Sequence, residues 1–144
     1  MHMALPTALL GAALVTLGGC ASPLPKADPN QAWVTMHSPA SSLLMADLLD
    51  GKRWPDGRYF QMPSGAHELR GRFMFEVRGG GGGHDGFAEP RQITCLLLLR
   101  YADFASGQRY RWEARAWLMG AKSRLLNSAG EVLAQGETLR CGPY

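Results

Sequence analysis

From His67 to Val77 the chain alternates over eleven positions, with Met74 the one apolar residue on the polar side. Leu69, Gly71, Phe73, Phe75 and Val77 fall on one side, and Glu68, Arg70, Arg72 and Glu76 fall on the other. A period of two belongs to a strand with one dry face and one wet face; a helix would scatter these residues around its axis. The dry face of so long a strand needs a second layer to cover it.

Other segments carry the same signature. Ala32 to Met36 and Arg58 to Met62 are short β-prone runs. Tyr110, Trp112, Ala114, Ala116 and Leu118 alternate with Arg109, Arg111, Glu113, Arg115 and Trp117. A last hairpin is expected from Ala121–Leu126 through Asn127-Ser128-Ala129-Gly130 into Glu131–Gln135. Ile93 to Tyr101 holds Cys95 and Leu96 to Leu99 in succession, which predicts a central strand covered on both faces. The segment 38–51 admits two structures. Ser38, Pro39 and Gly51 would frame a short helix, whereas Asp50-Gly51 is a strong hairpin turn before Lys52-Arg53-Trp54. The hairpin is the slightly better reading. Seven or so short strands between Gly, Asp and Pro turns predict an all-β fold, an antiparallel β-sandwich. Gly79 to Gly83 reads as a mobile loop, since five glycines in a row lose too much backbone entropy to order.

The N-terminus is not part of that pattern. An apolar run from Ala4 ends in Leu17-Gly18-Gly19-Cys20, with no charge before the cysteine. It is too short and too rich in Gly and Ala for a convincing membrane span, and it resembles the signal peptide and cleavage box of bacterial lipoproteins. The resemblance implies that residues 1–19 are a signal peptide and that Cys20 carries lipid. Residues 20–30, with Pro23, Pro25 and Pro29, then form a semi-rigid tether, and 31–144 form the sandwich domain. Ala21 after the cysteine implies the outer membrane, with the domain facing the periplasm.

Such a compartment is oxidising. With Cys20 assigned to lipid, Cys95 and Cys141 are an even pair, and a disulfide between them is expected. Its loop of 46 residues gives roughly 4 kcal/mol of stabilisation in the chain-entropy model. All 15 Lys and Arg and all 12 Asp and Glu lie after Cys20, for a net charge of +3. So mild an excess suits a nearby anionic lipid or glycan and argues against a nucleic-acid partner.

Leu48-Leu49-Asp50-Gly51-Lys52 and Arg58-Tyr59-Phe60-Gln61-Met62-Pro63-Ser64-Gly65-Ala66-His67-Glu68-Leu69 resemble the PEGA-type pattern. There a strand ends in an Asp-Gly-Lys turn, and a proline-small-glycine-x-His turn opens a long strand. Similar strings occur in small uncharacterised proteobacterial lipoproteins. The resemblance implies a β-sandwich at the cell envelope, used for surface attachment or assembly, and supplies no catalytic residues.

The residues themselves point the same way. No Gly-x-Ser-x-Gly elbow is present, and no Lys-Ser or Lys-Thr follows the glycine run, so neither a hydrolase nucleophile nor a phosphate loop is indicated. His37, His67, His84 and Asp85 are competent metal ligands but lack ligand spacing; neither metal nor cofactor is expected. The best binding candidate is the stripe Arg109, Arg111, Arg115 and Trp117, where guanidinium and indole suit anionic headgroups or glycans. Arg70 and Arg72 form a second stripe. Glu113, Glu68 and Glu76 interrupt both, so cross-strand ion pairing on a solvated face is the competing account. The expected function is a non-enzymatic, lipid-anchored sandwich that binds an envelope protein, glycan or anionic lipid. A small envelope hydrolase or metal-handling lipoprotein is the alternative, and it would require His37, His67 and His84 to converge.

Overall fold

The computed structural model describes residues 22–78 and 90–142. Cys20 and the Gly79–Gly83 run, with the leader and loop readings that rest on them, lie outside the described residues, as do His84 and Asp85. The described chain forms ten strands. They are β1 (Ala32–His37), β2 (Ser42–Leu49), β3 (Lys52–Arg53), β4 (Tyr59–Met62), β5 (Gly65–Arg78), β6 (Pro90–Phe104), β7 (Arg109–Trp117), β8 (Gly120–Leu126), β9 (Val132–Gln135) and β10 (Glu137–Gly142).

Two five-stranded sheets pack face to face as an all-β sandwich. The first has the order β4-β1-β7-β8-β9 and the second β10-β6-β5-β2-β3. Pairing is antiparallel except between β1 and β7, which run parallel with Trp33 opposite Arg109 and His37 opposite Glu113. The chain passes from the edge of one sheet to the edge of the other at 54–58, between β3 and β4, and again at Gly136, between β9 and β10. At Gly136 the backbone amide donates to the Ser123 carbonyl at 2.8 Å. A Cβ there would collide with the Ser123 side chain, so the crossing requires glycine.

The alternation of β5 is realised: Leu69, Gly71, Phe73 and Phe75 point inward. Trp112 of β7 reaches across the sandwich and lies against Gly71, where an added Cβ would stand 3.1 Å from two ring carbons. Phe60, Met62, Leu97, Leu99 and Leu125 are fully buried around this contact. Segment 38–51 is the hairpin rather than the helix. Asp50 and Gly51 both take positive φ, 49° and 77°, as a two-residue hairpin turn demands.

Three details differ from the expectations. The strands number ten rather than about seven, and β10 falls in a segment that the alternation had not singled out. β6 is central, between β10 and β5, as expected, but it is covered on both faces only in part. Ile93, Cys95, Leu97 and Leu99 face the core, while on the other face Leu98 is buried, Leu96 half-buried and Arg100 exposed. In β7 the inward set ends at Ala114; Ala116 and Leu118 are exposed, because the strand continues past the core to a turn.

Cys95 and Cys141 are bonded, and they are register partners on β6 and β10. The bridge therefore fastens the last strand to its neighbour in one sheet instead of crossing the core. β10 is mostly exposed, so little else buries it.

Candidate functional site

The outer face of the first sheet carries the predicted stripe, and the structure divides it in two. Arg109 lies over Trp33, its guanidinium carbon 5.9 Å from the ring centroid. Trp33 is stacked in turn on Tyr59, with centroids 4.2 Å apart and planes within 4°. Gln61, opposite Trp33 in register, accepts a hydrogen bond from the Asp28 amide at 3.0 Å. Arg58 donates to the Ser22 carbonyl at 2.7 Å. The tether is thus laid along β4, beside Arg109's end of the stripe. Arg111 pairs with Glu113 at 2.8 Å, and Glu113 also holds Arg124 of β8 at 3.1 Å.

Beyond Glu113 the balance of charge changes. Arg115 and its register partner Lys122 flank Trp117, with the Arg115 guanidinium carbon 5.1 Å and the Lys122 Nζ 4.0 Å from the Trp117 ring centroid. No carboxylate among the described residues lies within ion-pair distance of either cation. A groove of about 570 Å³ opens here, lined by His37, Pro39, Arg115, Lys122, Arg124 and Gln135, with Glu113 in its wall. Five elements build it: the end of β1, the turn after it, and the strands β7, β8 and β9 at the same level. A concave site with several cations and one paired carboxylate favours a multiply charged or bidentate anion, since guanidinium offers two parallel donors.

Lys122, Arg124 and His37 are the groove residues that the β7 pattern alone missed. The signal was present in β8, where Lys122 and Arg124 alternate with Ser123 and Leu125, but the sequence did not say which strand lies beside β7.

The second stripe has a different partner from the one expected. Arg70 and Arg72 gather with Arg53 around Asp47, at 3.3, 3.7 and 3.5 Å respectively. Asp47 sits at a β-bulge in β2 and its side chain is only 6% exposed. A bulge turns one extra residue out of register, and here it aims a carboxylate under three guanidinium groups. The only hint was a lone acid within the apolar run Leu43 to Leu49. Arg100 pairs with Glu68 at 2.8 Å on the same face.

His67 is enclosed by acceptors. Nδ1 lies 2.7 Å from Asp50 Oδ2, and Nε2 lies 2.9 Å from the Pro63 carbonyl. Each ring nitrogen thus faces an oxygen. Burial works against the charge of Asp50, but the Glu68 amide and the His67 ring outweigh it and hold the carboxyl below the ordinary 3.8. The two strings that carry the PEGA-like resemblance therefore meet in space, through a clamp that joins the β2–β3 turn to the start of β5. His37 ends β1 at one end of the first sheet and His67 begins β5 at the other end of the second, so these two share no ligand shell. Among the described residues, no three His, Cys, Asp or Glu side chains gather closely enough to hold a metal ion.

Comparison with protein-family models, with curated proteins and with solved structures returns no match for this chain.

Proposed function

We propose that this chain is a lipid-anchored, non-enzymatic envelope protein whose sandwich holds an anionic envelope component in the groove between β1, β7 and β8. The proposal includes acylation at Cys20, supported by the Leu17-Gly18-Gly19-Cys20 string, and a place on the outer membrane facing the periplasm, supported by Ala21 after the cysteine. The observation that carries the binding reading is the pair Arg115 and Lys122, two cations on a concave surface without a carboxylate partner among the described residues, next to Arg124. Exposed charges of one sign at a groove focus an oppositely charged ligand and contribute most at low salt. Phosphate or carboxylate groups on a glycan or on a lipid headgroup share the required chemistry.

The test uses the full chain in neutral detergent, titrated with soluble cell-wall glycan fragments in one arm and short-chain phosphatidylglycerol in the other. Replacing Arg115, Lys122 and Arg124 together with Gln is expected to weaken the productive arm at least tenfold, about 1.4 kcal/mol. The unfolding midpoint should stay within the small range typical of surface changes. Equal binding by parent and variant at every salt concentration would refute the groove. Incorporation of labelled fatty acid by a Cys20→Ser chain would refute the anchor.

A further inference from the structure

The turn that joins β7 to β8 exposes three consecutive large apolar residues. Trp117 is 47% exposed, Leu118 85% and Met119 61%. Leu118 also takes φ +54°, a left-handed position that hairpins ordinarily give to glycine or asparagine. A branched side chain in that conformation costs backbone energy, and at this exposure it recovers none by packing within the chain. Neither folding nor solubility accounts for the residue. We propose that the β7–β8 tip is a membrane-inserting finger, with Trp117, Leu118 and Met119 entering the interfacial layer of an anionic bilayer.

Charge and geometry select a bilayer as the occupant. Directly behind the apolar tip, Arg115 and Lys122 stand at the level that headgroups would occupy, both with their charged heads over the Trp117 ring. An indole at the interface with cations just above it is the arrangement by which peripheral proteins grip lipid. Among the described residues this end is mainly basic. Arg78 and Arg91, exposed where β5 ends and β6 begins, lie at this end too, because Ser42 follows the β1–β2 turn and pairs with Phe75. The carboxylates nearby among the described residues are Glu76 and the already paired Glu113. Within its own sheet the tip projects: His37 ends β1 opposite Glu113, and Trp117 lies four residues further, about 13 Å at strand rise.

The tether adds an independent constraint. Tyr59 is opposite Thr35, so Arg58, which holds the Ser22 carbonyl, lies at the His37 end of β1. Residues 22–28 then run away from that end toward Gln61. Traced back from Asp28 to Ser22, the chain thus heads toward the end that bears the finger, reaching about the level of Met36 and Trp112, five residues short of Trp117, and Ala21 alone separates Ser22 from Cys20. This last argument rests on the lipoprotein reading above; the exposed tip and its flanking cations do not. An acyl chain at Cys20 and the finger would then address the same membrane, two contacts that fix the domain's orientation where one would leave it swivelling.

The experiment places an environment-sensitive nitrobenzoxadiazole on a single introduced cysteine in the full chain, in washed native membranes. Leu118→Cys reports the finger, and Ser106→Cys, exposed in the β6–β7 turn, reports the opposite end. Labelling of the parent chain records whether Cys20 is free. The expected result is several-fold stronger, blue-shifted emission at 118, quenched by lipid carrying a shallow nitroxide, with position 106 reading water. Emission at 118 as aqueous as at 106 would overturn the inference, as would a blue shift that follows chain concentration instead of lipid. The two readings separate cleanly. A chain retained through a high-salt wash with position 118 in water keeps the anchor and loses the finger. A chain released by salt is returned to vesicles of phosphatidylglycerol and phosphatidylcholine. There, apolar emission at 118 keeps the finger without the anchor, and aqueous emission rejects both.

Discussion

Arg70 and Arg72 on β5 and Arg115 with Lys122 on the β7–β8 hairpin are both rows of cations on the outer faces of strands, yet they end in different environments. The β5 pair converges with Arg53 on Asp47, a nearly buried carboxylate that a bulge in β2 turns toward them. The hairpin pair meets an indole and a groove, with no carboxylate within ion-pair distance among the described residues. Alternation along one strand specifies which way a charge points. What it meets there is specified by the next strand, and the next strand here is β2 in one case and β8 in the other. One face is accordingly an internal brace, and the other is available to a ligand.

If that contrast is right, disturbing the braced sheet should cost stability and disturbing the hairpin end should cost binding. The largest effect is expected at the bridge. Cys141→Ser releases exposed β10 from β6 and should lower unfolding free energy by up to ~4 kcal/mol, since the closed loop spans 46 residues. Parent protein unfolded under reducing conditions should then match the variant in chemical denaturation. A parent that is equally stable reduced and oxidised would show that β10 is held by its ladder alone.

Next comes the brace itself. Asp47→Ala leaves three guanidinium groups facing one another and should cost about 2–3 kcal/mol, less than a fully buried pair because the arginines are partly exposed. Glu113→Ala on the other face removes a carboxylate from Arg111 and Arg124, which are about half exposed, and should cost under about 1 kcal/mol. Thermal unfolding of the two variants side by side measures the difference. Equal losses would erase the distinction between the faces.

The smallest effect concerns acid. Asp50 is held below 3.8 in the folded chain, so its contribution is present above 3.8 and is lost as pH falls through the lower folded value. The carboxyl is half exposed, so the stability change should be slight and the titration itself is the better readout. In His67→Gln the Asp50 midpoint, followed by carbon-detected NMR, should move up toward 3.8. An unmoved midpoint would assign the depression to the Glu68 amide and the Lys52 charge.

Much of this molecule was written in short-range pattern. The period of two gave the strands from Ala32 to Gln135, and Asp50-Gly51 gave its hairpin, because both depend on a few neighbouring φ/ψ values and on which side faces water. The cysteine pair was legible from count and compartment. The leucine run in β6 was legible only in part: on its outer face Leu98 is buried and Leu96 half-buried, and four leucines in a row do not say how far the cover extends.

By itself the sequence determined that the chain is all-β, where it turns and which side chains point outward, because each of those is settled within a few residues of its own position. Only the tertiary structure decided that β1 lies parallel to β7, that Asp47 sits beneath Arg70 and Arg72, and that Lys122 and Arg124 complete a groove with His37. Those outcomes depend on which strands become neighbours and in what register. Neighbours are chosen by covering every apolar face at once, a condition on the whole chain that no single segment records.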